Sequence, residues 1–310
     1  MSSAVEVAHR ILREGFGDRV RTEVPLAPLT TFRIGGPAAL YVEPENDEEL
    51  SVAHRAVRDS GLPFVVVGKG SNLLIADRGF AGIVVRLGKG YRWAARDRDR
   101  LRAGAAMPLP ALAGVALRHG LGGLEFGVAI PATLGGAVKM NAGDHDAELG
   151  DVIARVDLFR MLDGERVAIG VDEAGFSYRA STLPDDAVVL AATLQLLDRE
   201  PGAIRAGMED ARAWRRRTQP LAEPNCGSVF TNPPGAHAAA LIDAAGLKRA
   251  RVGGAAVSGK HANFIVADPG ASAADVVALI TLIQERVAAD SGVRLEPEVR
   301  FVGSFDDDAA

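Results

Sequence analysis

Several short segments carry side chains able to do chemistry. In Phe176-Ser177-Tyr178-Arg179, ahead of an expected strand, a guanidinium beside a cleft is a fork for a carboxylate or phosphate. A lone arginine is also commonly a surface residue. Asn225-Cys226-Gly227-Ser228-Val229-Phe230 sets a serine at the start of another expected strand. This is not a GxSxG elbow, so nothing supports a hydrolase nucleophile. Held in a cleft, Ser228 has a proton to give; otherwise it is a turn hydroxyl. Glu298 and Arg300 are two apart on one face of a third expected strand, with side chains roughly 7 Å apart. They line a polar cleft or simply face water. Asp144-His145-Asp146 lacks a second histidine at ligand spacing, so no metal site is expected there. His54, His119 and His237 stand alone and are expected to be structural or exposed.

Glycine clusters in three stretches, Gly68–Asn72, Gly120–Gly143 and Gly246–Gly259. Val67-Gly68-Lys69-Gly70-Ser71-Asn72 follows a strand pattern. Its glycines would let backbone N–H groups approach an anion, with Ser71 and Asn72 adding donors, as in a pyrophosphate cradle. It is not a Walker A loop, because Gly70 follows Gly68-Lys69, and not GxGxxG, because Leu73 replaces the third glycine. The same residues also make a plain tight turn. The stretch from Gly127 to Gly143 is poor helix or strand and is expected to be a compact loop. Its backbone is open to flat aromatic or phosphate groups, or to close packing of two elements.

The elements that must position these residues alternate. Asn46 with Glu49 three residues on starts a helix that Gly61-Leu62-Pro63 ends. Phe64–Val67 and Ile83–Leu87 are expected strands, and the charged run Arg92–Arg102 a solvated hairpin. Pro110–His119 suits a helix closed by Gly120. Val152–Met161 and Ala187–Leu196 follow as strands, and Ala203–Arg217 as a helix. A strand at Gly227–Thr231, a helix at Ala238–Ala245 and a strand at Ala262–Ala267 come next. Ser272 starts a long helix with a Val276, Ile280, Ile283, Val287 stripe. In the last strand Val293, Leu295, Val299 and Phe301 share one face and Arg294, Glu296, Glu298 and Arg300 the other. The first of these stretches therefore reads as one α+β or α/β unit and the rest as a second, α+β one. A helical extension is expected over 1–26, a first domain over 27–197, a second over 203–303 and a disordered acidic tail over 304–310.

The chain has 310 residues, 48% hydrophobic and 24% charged, with a net charge of −5. That argues against a nucleic-acid or membrane-surface binder without excluding a local basic pocket. One cysteine, Cys226, excludes an intramolecular disulfide. Neither a secretory h-region nor a stretch of membrane-spanning length is present, so a cytoplasmic protein is expected, with no membrane and no obligate protein partner.

Taken in order, the motifs resemble the UDP-N-acetylenolpyruvoylglucosamine reductase (MurB) family. They are Thr30-Thr-Phe-Arg-Ile-Gly-Gly-Pro37, Val67 to Leu74, Ile130-Pro131 through Gly135-Gly136-Ala137 to Met140-Asn141-Ala142-Gly143, and Phe176 to Arg179. Arg215 to Pro220, Cys226 to Phe230, Ala245-Gly-Leu247, Gly253 to Ser258, His261-Ala-Asn-Phe264 and Glu296 to Arg300 complete the set. The resemblance covers about residues 27 to 302. It implies an FAD-binding domain of the vanillyl-alcohol-oxidase (PCMH) type, built of two α+β subdomains, and then a smaller α+β substrate-binding domain. That would explain a dinucleotide binder without the Rossmann fingerprint. The short connection from Arg179 to Ser228 resembles the subgroup lacking an extra tyrosine loop. Ala132 replaces a usual glycine, Thr231 a usual lysine or arginine, and Asp144-His145-Asp146 the usual small or aromatic residues; these departures bear on affinity.

The activity implied is that of a UDP-N-acetylmuramate dehydrogenase of peptidoglycan precursor synthesis. It reduces the enolpyruvyl ether of UDP-N-acetylglucosamine to the lactyl ether, with non-covalent FAD and with NADPH as hydride donor. By the resemblance, Ser228 protonates the carbanion-like carbon, while Arg179 and a protonated Glu298 stabilise the enediolate-like charge. FAD would meet Arg33, Val67, Gly68, Lys69, Gly70, Ser71, Asn72, Leu73, Ile130, Pro131, Gly135, Gly136, Asn141, Gly143 and Arg300. The substrate would meet Arg215, Asn232, His261 and Asn263; the basic charge of Arg215-Arg216-Arg217 suits the uridine pyrophosphate. The alternatives are an oxygen-using oxidase of the same fold, a UDP-sugar binder without turnover, and a nicotinamide-only dehydrogenase.

Overall fold

The computed structural model describes residues 3–144 and 147–305. His145, Asp146 and residues 306–310 of the expected tail lie outside the described residues. The chain divides into two compact units that are interleaved in sequence. One comprises Met1–Thr22, Leu40–Lys69 and Gly82–Trp214; the other comprises Glu23–Ala39, Gly70–Ala81 and Arg215–Ala310. The reading from sequence instead divides the chain serially between residues 197 and 203.

The first unit is built on a five-stranded antiparallel sheet. Its order is Arg166–Gly170, Ile153–Arg160, Ala187–Gln195, Arg100–Gly104, Ala94–Asp97. The central strand, Ala187–Gln195, is apolar almost throughout and buried on both faces, as a strand with neighbours on each side requires. The hairpin expected in Arg92–Arg102 forms, but it is not merely solvated. Leu101 and Ala103 are buried. Arg102 reaches across to Asp157 at 2.6 Å, and Arg155 contacts the other oxygen of that carboxylate at 3.0 Å. Burial opposes ionisation of Asp157, but the two guanidiniums outweigh it and hold its pKa below the usual carboxylate value.

Helix Asp47–Ser60 starts as the sequence requires: Asn46 Oδ1 accepts from Glu49 N, and Gly61 closes it at φ 67°. Helix Ser3–Phe16 packs on it and buries Val5, Ala8, Ile11, Leu12 and Phe16. The N-terminal extension thus joins the core of this unit. Strand Phe64–Val66 runs parallel to Phe80–Val85, pairing Val65 with Val84. Between Gly127 and Gly143 the structure departs from a plain loop. Residues Leu134–Lys139 form one short helix because Thr133 Oγ1 accepts from Gly136 N, a cap that glycine content hides.

The second unit packs helix Ala273–Ser291 against the antiparallel strands Arg251–Val252, Ala255–Val257 and Ile265–Ala267. The expected strand at Ala262–Ala267 is shortened to Ile265–Ala267, and the one at Gly227–Thr231 is reduced to isolated bridges at Asn225 and Phe230. Gly227 at φ 82° and its N–H bond to Asn225 Oδ1 break extended geometry there. The last strand is also shorter, Arg300–Val302, paired in parallel with Leu73–Ile75. The alternation through Leu295 and Val299 ends in a bend, so Val302 is buried and Phe301 is 42% exposed, reversing the expected face. Phe301 meets Phe305 edge-on at 5.3 Å, so the chain is placed at least that far into the expected disordered tail.

Asp77 ties residues 70–81 into this unit. Its two carboxylate oxygens accept from Ala273 N at 2.8 Å and Ala274 N at 3.1 Å, the first N–H groups of the long helix. Ser272 and Asp275 complete the cap reciprocally. Nearby, Gly79 at φ 81° has Pro37 O 1.9 Å from where a Cβ would stand, and Gly303 has Gly79 O at 2.3 Å; backbones meet there with no room for side chains. Among the described residues, no helix is long and apolar enough to cross a membrane.

Two expectations follow. Asp77→Ala removes both helix acceptors and should lower stability by about 1–2 kcal/mol, read as a lower urea midpoint; an unchanged midpoint removes Asp77 from this role. Cys226 is buried, and burial raises its thiol pKa far above the ordinary range. A disulfide reagent at pH 8 should therefore label it slowly in the native protein and rapidly in urea; equal rates would contradict the burial.

Candidate active site

In the second unit Ser228 sits in a segment held from both sides. Val229 O accepts from Glu298 N at 2.7 Å, and Thr231 N donates to Glu296 O at 3.0 Å. On the other side Val229 N donates to Asn263 O at 2.9 Å. The Asn263 side chain brackets Phe230, accepting from its N at 3.0 Å and donating to its O at 2.8 Å. Asn263 is 4% exposed, so this amide is spent on the backbone beside Ser228 rather than turned outward to a substrate. Ser228 itself is half-buried.

Asn72 joins the same framework. Its Nδ2 donates to Glu298 O at 3.1 Å, and its own carbonyl accepts from Arg300 N at 2.9 Å. Leu73 is the strand partner of Arg300. Four residues expected from sequence, Asn72, Leu73, Glu298 and Arg300, are thus neighbours, with Ser228 one residue from Val229. Glu298 and Arg300 lie on either side of the bend at Val299. Gly70 is fixed by packing: at φ 59° its Cβ would fall 2.4 Å from Leu29 O, and Thr31 N donates to Gly70 O at 3.2 Å. Arg33 is exposed between buried Phe32 and Ile34, at φ 59°.

The remaining expected substrate residues are separately engaged. Asn232 Oδ1 accepts from Ala238 N at 3.0 Å, ahead of helix Ala238–Ala244. His261 Nδ1 accepts from Asn263 N at 3.3 Å, and its ring meets Phe264 edge-on at 4.8 Å. Burial, with Lys248 nearby, lowers the pKa of His261 and favours the neutral ring that this acceptor needs. Arg215 Nε donates to Gln219 Oε1, one turn on.

In the first unit the glycine stretches that begin at Gly68 and end at Gly143 come together. Val67 N donates to Val85 O at 2.9 Å, and a Cβ on Gly68 would lie 2.3 Å from Thr133 Oγ1. Gly135 N donates to Ala105 O at 2.9 Å, with Ala105 Cβ 2.9 Å from where its own Cβ would be. Gly143 pairs with Glu148 in a two-residue ladder that leaves no room for a side chain. Outward from this junction, Lys69, Pro131 and Gly136 are exposed and Ile130 is half-buried, giving a stretch of bare backbone open to solvent. Such a surface fits a flat, polyphosphate-bearing group such as FAD, with N–H groups and a lysine for the phosphates.

Arg179 is also in this unit, at the tip of a turn. Ser177 and Ala180 exchange both backbone hydrogen bonds at 3.0 Å, and Arg179 takes φ 57°. Its guanidinium lies 5.2 Å from the centre of the Tyr178 ring. The strand expected after it begins at Ala187, where the sequence places it. Asn141, expected at the cofactor, is fully buried; its Nδ2 donates to Ser177 O at 2.9 Å and its Oδ1 accepts from Gly150 N at 2.8 Å. Sequence reasoning missed Asp77 and Ser181, whose partners lie far along the chain, and Thr133 and Gly150, whose partners are nearer. Only Thr133, placed before a Leu-Gly-Gly run, carries a local signal, that of a helix cap.

The comparisons agree with this anatomy. Residues 219–302 match the model of the UDP-N-acetylenolpyruvoylglucosamine reductase C-terminal domain, and residues 38–170 match an FAD binding domain. The chain is 44% identical over 296 residues to the UDP-N-acetylenolpyruvoylglucosamine reductase of Heliobacterium modesticaldum, covering 95% of this chain and 94% of that one. It is 46% identical over 291 residues to that of Anaeromyxobacter sp. (strain Fw109-5), covering 93% and 91%. The crystal structure of the Thermus caldophilus enzyme matches with a TM-score of 0.80 at 38% identity, over 92% of this chain and 99% of that one. A wild-type glucose dehydrogenase, Phl p 4.0202, shares the fold alone, with a TM-score of 0.50 at 13% identity over 63% of this chain and 44% of that one. An α+β FAD-binding domain of the PCMH type and a smaller α+β domain are thus joined in one polypeptide, and the chain belongs to the UDP-N-acetylenolpyruvoylglucosamine reductase (MurB) family of oxidoreductases.

Proposed function

We propose that this protein reduces the enolpyruvyl ether of UDP-N-acetylglucosamine to the lactyl ether of UDP-N-acetylmuramate, using FAD and NADPH. When bound, FAD supplies two-electron chemistry between the nicotinamide and the substrate. The chain's own residues supply the rest. As the terminal vinyl carbon is reduced, negative charge grows on the neighbouring carbon and into the carboxylate. Arg179 offers a bidentate partner to that carboxylate, and Glu298, in its protonated form, a hydrogen bond. Ser228 gives its proton to the charged carbon. A serine is a weak acid, but the basicity of the adjacent carbon makes the transfer feasible.

The observation that carries this reading is the hydrogen bond from Glu298 N to Val229 O at 2.7 Å, which holds the backbone of Glu298 one residue from Ser228. Asn263, locked on Phe230, supports it by fixing the Ser228 segment. For the cofactor, Val67, Gly68, Lys69, Ile130, Pro131, Gly135, Gly136 and Gly143 offer backbone and one cation, while Arg33, Gly70, Ser71, Asn72, Leu73 and Arg300 offer further donors. Arg215, Asn232 and His261 are proposed for the UDP-sugar.

The test begins with the purified protein, which should show flavin absorbance and oxidise NADPH in stoichiometric response to the enolpyruvyl substrate. A colourless protein that cannot be reconstituted with FAD ends the proposal. Stopped-flow of Ser228→Ala should then show flavin reduction by NADPH within about twofold of wild type, with substrate reduction slower by about 10²- to 10⁴-fold. Equal slowing of both half-reactions would remove Ser228 from the proton transfer.

A further inference from the structure

We propose that Asn141 is the positioning residue for Arg179, through a two-sided anchor on the turn that carries the guanidinium. This inference rests on the function proposed above for Arg179. The turn Ser177–Ala180 is closed by only two backbone hydrogen bonds, and its tip residue takes a left-handed conformation that a long side chain disfavours. Such a tip needs support from outside itself to hold one geometry. The support comes from residues 139–141. On one side Asn141 Nδ2 donates to Ser177 O at 2.9 Å. On the other, Ser181 Oγ donates to Lys139 O at 2.8 Å, and Lys139 Nζ donates to Leu183 O at 2.7 Å and Pro184 O at 2.8 Å.

The anchor is itself held. Asn141 is fully buried, at φ 42°, and its Oδ1 is occupied by Gly150 N at 2.8 Å. Gly150 has no space for a side chain: a Cβ would stand 2.9 Å from Phe176 Cβ and 3.2 Å from Asn141 Oδ1. The residue before the turn, the anchor and the glycine are therefore close-packed. An amide is the side chain that suits this place, since it must donate to one backbone group and accept from another. Asparagine at 141 thus does its work through Arg179 and not by contact with a ligand.

Asn141→Asp keeps the acceptor for Gly150 N and loses the donor to Ser177 O. Bound FAD and the rate of flavin reduction by NADPH should stay within about twofold of wild type, while kcat with the enolpyruvyl substrate falls by about 10- to 100-fold, the scale of a displaced catalytic group. Arg179→Ala combined with Asn141→Asp should be no slower than Arg179→Ala alone, because both changes remove one function. Amide exchange at Ser177 and Ala180, measured without substrate, should quicken by about tenfold or more. Ser181→Ala should act in the same direction and Ser181→Thr, which keeps the hydroxyl, should restore the rate; this pair decides the matter if Asn141→Asp fails to fold. Additive losses in the double variant, slower flavin reduction, loss of FAD or unchanged amide exchange would each overturn the proposal. If wild type does not turn over the enolpyruvyl ether, the functional reading fails instead, and the exchange measurement still reports on the anchor.

Discussion

The pairing of Leu73–Ile75 with Arg300–Val302 is the constraint on which the second unit depends. It joins residues more than two hundred positions apart, so closing that loop costs considerable chain entropy. Three things offset the cost locally: the ladder itself, the Asp77 carboxylate on the helix at Ala273 and Ala274, and the burial of Leu74 and Val302. Once it forms, Asn72 reaches Glu298, Glu298 reaches Val229, and the serine at 228 has a fixed neighbour. Each of those contacts uses a main-chain group. The geometry of the candidate site is thereby set by backbone register more than by side-chain packing.

Polar groups at this site and around Arg179 are buried only where they are matched. Asn263 both donates to and accepts from the main chain of Phe230, near Ser228, and Asn141 donates to Ser177 O in the turn that carries Arg179 while accepting from Gly150 N. A buried amide left with one partner missing costs roughly 1–3 kcal/mol, so these residues specify one arrangement as well as stabilise it. Left-handed backbone at Arg33, Asn141 and Arg179 falls on residues that the sequence had already marked for function. Local strain of this kind is kept where surrounding contacts over-determine it.

Much of the fold was legible because local signals agree with tertiary ones. Asn46 with Glu49, Gly61, and Ser272 with Asp275 mark helix ends by chemistry contained within a few residues. The apolar run Ala187–Gln195 announces a central strand. The last strand misled because Pro297 and the bend at Val299 shift the parity of an otherwise strict alternation, which periodicity alone does not register. The site was legible in its residue types through an ordered set of motifs, but not in its supports. Asn141 and Asn263 look like ligand groups in sequence, because an amide that binds a ligand and one that binds a backbone carbonyl are the same residue. What separates them is depth, and depth comes from elements packed far along the chain. Asp77 was invisible for the same reason: its helix starts 196 residues later.

The interleaving of the two units has a consequence for how the chain comes off the ribosome. The first unit has all its strands once Trp214 has emerged and can begin to pack during synthesis. Residues 23–39 and 70–81 can meet one another by then, as Gly36 N with Ala76 O and Thr31 N with Gly70 O, but the helix and the strand that complete them are made last. Until Arg300–Val302 is translated, the edge of Leu73–Ile75 is unpaired, and the glycine-lined crossing of Pro37, Gly79 and Gly303 lacks its third backbone. The nascent protein therefore carries an open apolar strand from soon after residue 75 until almost the end of its synthesis. A fragment beginning at the C-terminal family boundary would be born without the strand and the carboxylate that complete it.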